Sequence, residues 1–130
     1  MPNSKDFHEA AESLSAESKD FHRAILSLIE ELEAVDWYHQ RAETCADDAL
    51  RAVILHNRDE EIEHAMMALE WIRRRDPVFD GAAKTFLFSE GPITEVEAAA
   101  MGKSAAPEAG ELGTPSAPRG VLGIGSLKGK

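Results

Sequence analysis

Apolar and polar positions alternate with a helical period through the first two-thirds of the chain and lose that period beyond it. From residue 8 to 75 there is neither glycine nor proline, and Ala, Leu, Glu and Arg predominate. Such a run favours helix, because glycine and proline are the strong breakers. Within it Ala24, Leu28, Glu31, Val35 and Tyr38 recur in alternating steps of four and three, which places them on one helical face. Phe21, Ile25 and Leu32 widen that face. The pattern lapses over residues 41–48, where Thr44, Asp47 and Asp48 offer oxygens to cap a new helix. A second stripe then repeats the same steps through Leu50, Ile54, Asn57, Glu61, His64, Ala68 and Trp71. Arg58, Ile62, Ala65, Leu69 and Ile72 broaden it. The second helix is predicted to stop near Arg75, because Asp76 precedes Pro77 and a residue before proline is pushed out of helical geometry.

Residues 76–105 carry Asp76-Pro77, Gly81 and Gly91-Pro92, with Thr94 and Glu97 placed as a capping box for a short helix through Ala100. Residues 106–119 are Ala/Pro/Gly-rich and read as a flexible linker, and residues 120–130 form a tail. The expected fold is all-α: residues 1–105 make an antiparallel two-helix hairpin with a short C-terminal helix. Two helices bury too little to be stable alone, since a helix owes most of its stability to packing its apolar face. Two hairpins would complete a four-helix bundle, so an obligate oligomer is expected.

Charge narrows the partners. A formal net charge of -10 disfavours nucleic acid and anionic membranes, whose phosphates call for excess Lys and Arg. Cys45 is the only cysteine, so an internal disulfide or a cysteine-held cluster within one chain is excluded, as suits a reducing cytoplasm. The first residues hold no apolar run of signal-peptide length, and no stretch approaches the roughly 20 apolar residues of a membrane span.

The anomaly is polar residues in apolar stripes. Glu31 occupies a core position in the first helix, and Glu61 and His64 occupy consecutive ones in the second. A carboxylate unpaired in a bundle core is costly, so it implies a partner such as a metal. Glu61 and His64 form Glu-x-x-His, whose i and i+3 side chains share a face. Oxygen and imidazole donors suit iron, manganese or zinc. A ferritin-like di-iron bundle uses a Glu from each of two helices and a Glu-x-x-His from each of the other two. This chain carries half of that set, so a dimer completes it, with the metals at the interface.

Three stretches, Ile29–Tyr38, His56–His64 and Phe88–Thr94, closely resemble the encapsulated ferritin family, and Gly120–Gly129 resembles the cargo-loading peptide of proteins packaged in encapsulin shells. The resemblance implies a two-helix ferritin-like protein that dimerises through its metal site, assembles into ring-shaped decamers and oxidises Fe(II) with O₂. It implies that an encapsulin nanocompartment in the cytoplasm supplies the storage volume which an open ring lacks. It matches Glu31, Glu61 and His64 to ferroxidase ligands of a di-iron centre shared by two subunits. Glu30 and Glu33 match acidic residues on the metal entry route, and Trp37 and Tyr38 match aromatics beside the centre. Val121, Leu122, Ile124 and Leu127 would dock into the shell as an extended apolar peptide, since dense glycines preclude a stable helix there. Tyr38 reads either as orienting a ligand and passing electrons or as filling the core. The alternatives are a non-catalytic helical scaffold, a related di-iron peroxidase, which the missing Cys-x-x-Cys pair disfavours, and redox-silent zinc binding.

Overall fold

The structure, a computed structural model, describes residues 5–105, with side chains to Met101. The linker and the tail, with Val121, Leu122, Ile124 and Leu127, lie outside the described residues. Every regular element among those described is helical. The chain divides into two compact units at the Pro77–Val78 bond.

In the first unit, the chain passes through a single 3-10 turn at Ala11–Ser13 before α1, which spans Ala16–Thr44. Ser15 caps α1: its hydroxyl accepts the Ser18 N–H at 3.0 Å, satisfying one of the unpaired donors of the first turn. Cys45 to Asp47 connect α1 to α2, Asp48–Arg75, which is shorter than the lapse over 41–48 suggests. Buried Ala42 explains the difference, because packing carries α1 past the point where its periodicity fades. The Asp47 carboxylate accepts the Leu50 N–H at 2.8 Å and caps α2, while Arg51 donates to the Cys45 carbonyl at 3.1 and 2.7 Å. Thr44 thus ends α1 and Asp48 opens α2, with Asp47 alone as the cap. Asp76 ends α2 in extended geometry ahead of Pro77.

The two helices pack on each other, yet only Ala42, Ala65 and Ile72 are buried among the described residues. Ala65 and Ile72 belong to the flanking stripe of α2, so that stripe faces α1 and the Glu61–His64 stripe lies at the edge of the contact. Leu50 and Val53, which fall on the His64 side of α2, remain 52% and 56% exposed. A single hairpin therefore leaves apolar area in water that a second layer would cover.

The second unit contains a helix that the sequence reading leaves out. α3, Pro77–Phe86, runs straight through Gly81. Proline fits the first helical position, where it lacks no needed N–H, and Val78, Phe79, Ala82, Ala83 and Phe86 give the helix an apolar side that outweighs one interior glycine. Phe88 and Gly91 then adopt left-handed φ angles of 62° and 85° in the turn that follows. α4 spans Ile93–Ala105 and begins one residue before Thr94, which places Thr94 inside the first turn rather than at a capping position. No helix among the described residues is long and apolar enough to cross a membrane.

Candidate metal centre

Glu31 enters from the middle of α1, and Glu61 and His64 enter from one face of α2 a single turn apart. Antiparallel packing brings the three together: one ligand atom from each lies within 4.8 Å of the others. His64 Nδ1 is 2.8 Å from Glu61 Oε1 and 3.3 Å from Glu31 Oε2. The side chains of Glu31 and Glu61 are 28% and 25% exposed, and that of His64 is 48% exposed. The group thus sits at the rim of the hairpin and opens outward.

One atom is out of balance. Glu31 Oε2 is shut off from solvent and accepts no hydrogen bond. Its charged neighbour is His64 Nδ1 at 3.3 Å, which only partly offsets the burial of an acceptor without a hydrogen bond. The Glu31 side chain as a whole retains some exposure, so the buried atom is Oε2 alone. Burial pushes the Glu31 carboxyl above its usual range, the neighbouring Glu61 adds to the rise, and His64 partly offsets it. His64 is likewise held above its ordinary value, chiefly by its hydrogen bond to Glu61, against the opposing effect of desolvation. Two carboxylates and one imidazole with an unsatisfied inward oxygen form a donor set for a divalent first-row cation, which would give Oε2 its missing partner.

The other residues singled out from the sequence stand apart from this group. Tyr38 lies two turns further along α1, with the Arg41 guanidinium 5.4 Å from its ring centroid. Trp37 is 52% exposed. Glu30 is exposed, and Glu33, two residues past Glu31 and so on the far side of α1, pairs with Lys5 at 2.8 Å. That ion pair joins residues 28 apart, which no local pattern announces. Three further histidines have ordinary partners: His22 stacks near Phe7, His39 receives Arg58 at 3.1 Å, and His56 lies 3.2 Å from Glu60.

An all-helical hairpin with a carboxylate–imidazole group on its open edge is half of a ferritin-like bundle. The chain belongs to the EncFtn-like family, whose profile matches residues 6–90. It is 50% identical over 129 residues to the encapsulated ferritin-like protein of Rhodospirillum rubrum, covering 98% of this chain and 91% of that one. It is 26% identical over 133 residues to the encapsulin nanocompartment cargo protein EncC of Myxococcus xanthus, covering 98% and 99%. Among solved structures it is similar to protein ne0167 from Nitrosomonas europaea, at 57% identity and a TM-score of 0.65 over 67% of this chain and 96% of that one.

Proposed function

We propose that this protein is a ferroxidase that takes up Fe(II) as substrate and oxidises it to Fe(III) with O₂ at a di-iron centre completed between two copies of the chain. The carrying observation is Glu31 Oε2, a buried oxygen without a hydrogen bond inside a three-donor group. One chain supplies three donors on an open edge. A two-fold axis through that edge supplies two each of Glu31, Glu61 and His64, enough for two irons. The exposed Leu50 and Val53 lie on the His64 side of α2 and would be covered by the same pairing. A shallow groove of about 330 Å³ lined by Asp20, Arg23, Ala24, Ser27, Ala68 and Trp71 lies further along the ligand stripe.

In this reading Glu31, Glu61 and His64 of two copies would hold two Fe(II) ions, with Glu61 the candidate shared ligand and the carboxylates favouring the ferric product; one electron from each iron, with two protons, would take O₂ to hydrogen peroxide. Tyr38 either orients a ligand or carries an electron from within the same α1 face. Exposed Glu30 would attract cations to the outside of the assembly, a role for which Glu33 is already engaged by Lys5. The relatives named for encapsulation and encapsulin cargo support delivery of the product into an encapsulin shell in the cytoplasm, addressed by Val121, Leu122, Ile124 and Leu127, and the ring-shaped decamer is proposed on the same likeness.

The test is rapid Fe(II) oxidation by the purified assembly. Glu31→Ala and His64→Ala should each abolish it or reduce it strongly, and undiminished oxidation in both would remove the assignment. Deleting residues 120–130 should leave oxidation intact and abolish co-purification with the shell.

A further inference from the structure

Three methionines among the described residues reach the surface to a similar degree. Met66 is 50% exposed, Met67 64% and Met101 67%. Of these, Met67 alone lies on the ligand edge. It follows His64 by three residues on α2, so the two side chains share a face, with Cβ atoms about 5–6 Å apart. Long side chains on a helix point back toward its N-terminus, over the residues three and four positions earlier. Met67 therefore leans over His64 and Glu63. Met66 is two residues from His64, which turns it to the opposite side of α2, and Met101 belongs to α4 in the other unit.

The chemistry of this side chain matters more than its bulk. A thioether is soft and polarisable, so it does not compete with carboxylate and imidazole for a hard ferric ion. Hydrogen peroxide oxidises it directly by oxygen transfer. The chain's only cysteine, Cys45, lies in the α1–α2 connection, about 20 Å along α1 from Glu31 at 1.5 Å per residue. Met67 is thus the oxidisable sulfur that the hairpin holds against the ligands.

We propose that Met67 is an oxidation site that captures hydrogen peroxide as it leaves the centre formed by Glu31, Glu61 and His64, and so spares those ligands. This rests on the iron-oxidising reading, in which two Fe(II) ions and two protons convert O₂ to peroxide. One peroxide oxygen bonds to the Met67 sulfur, the O–O bond breaks, and the other oxygen leaves as water carrying both protons. The sulfur loses two electrons to become the sulfoxide, and the peroxide gains two. The sulfoxide is reducible back to the thioether, so the capture can be repeated.

The experiment gives the full-length protein Fe(II) in air-saturated buffer with catalase present, which destroys peroxide in the bulk. Ferric absorbance is followed, and sulfoxide at each methionine is then read by peptide mass spectrometry. A metal-free sample without catalase receives hydrogen peroxide from the bulk instead. Bulk peroxide should not favour Met67 over the equally exposed Met101, whereas iron turnover should oxidise Met67 several-fold more than Met66 or Met101. The same ratios in both arms overturn the proposal and leave iron oxidation standing; absence of a ferric product removes both. Met67→Leu conserves volume and removes the sulfur. It should leave the first turnover unchanged, then lose activity sooner over repeated additions of iron and gain oxygen on His64. Equal survival of the two proteins, with His64 unmodified in both, also overturns the proposal.

Discussion

At the scale of single residues, Glu31 and His64 are held in a state that favours protons, which a cation bound there would have to displace. Glu31 and His64 both bind protons more tightly in the folded chain than the free groups do, Glu31 through burial and His64 through Glu61. The sign follows: stability from these groups is present at low pH and is lost as pH rises through their raised values, the window beginning above 4.5 for Glu31 and above 6.5 for His64. Metal binding must displace those protons, so affinity moves the opposite way. Cobalt(II) titration should show tighter binding as pH climbs through the neutral range, and thermal unfolding of metal-free protein should show a falling midpoint over the same interval. A pH-independent affinity would contradict the shared-proton account. Glu31→Gln removes the charge repulsion with Glu61 and softens the unmet oxygen, so it should stabilise the metal-free protein by about 1 kcal/mol while removing stabilisation by cobalt. Unfolding with and without cobalt reads both effects. Glu70 lies at the other extreme: paired hydrogen bonds from Arg73, with Arg74 beside it, hold it at about 2, so its contribution persists above the usual carboxylate range and disappears only in strong acid.

At the scale of elements, hydrophobic periodicity announced α1 and α2, since both are long, uninterrupted and amphipathic. It also located the stop at Pro77, a steric effect that acts within two residues. It missed α3 because a glycine inside a ten-residue helix looks locally like a break, whereas an apolar face decides the matter collectively. It misplaced the start of α4 by two residues, which is enough to move Thr94 from the cap into the helix. Of the caps offered by the sequence only Asp47 serves as one, a side chain three residues from the backbone amide it accepts. Asp47→Ala should lower stability by about 1 kcal/mol, read as a lower urea midpoint with an unchanged slope, since it strips the hydrogen bond to Leu50 without altering what is buried. Gly81→Ala should raise the helicity of α3 by a similar amount, because an added Cβ meets nothing within 4 Å.

At the scale of the whole molecule, a hairpin with three buried side chains among its described residues is an incomplete fold. The proposed pairing of copies would supply what the single chain lacks, and folding should then depend on protein concentration. Val53→Glu places a charge on the exposed face beside the ligand edge without touching the caps or the α1–α2 contact. It should shift the sedimenting mass toward the single chain and remove fast iron oxidation together. Retention of both would show that this face is not where copies pair.

The residue order by itself determined the two long helices, the stop of the second ahead of Pro77 and the three polar intrusions in apolar stripes, because each is set by interactions spanning a few positions. Only the folded chain decided that Glu31 meets Glu61 and His64 at an open rim, that one carboxylate oxygen is left unsatisfied, and that Lys5 and Phe7 return to Glu33 and His22. Those outcomes join residues 15 to 33 positions apart, through helix packing and chain reversal, and no periodicity along a sequence encodes which side of a helix another segment will cover.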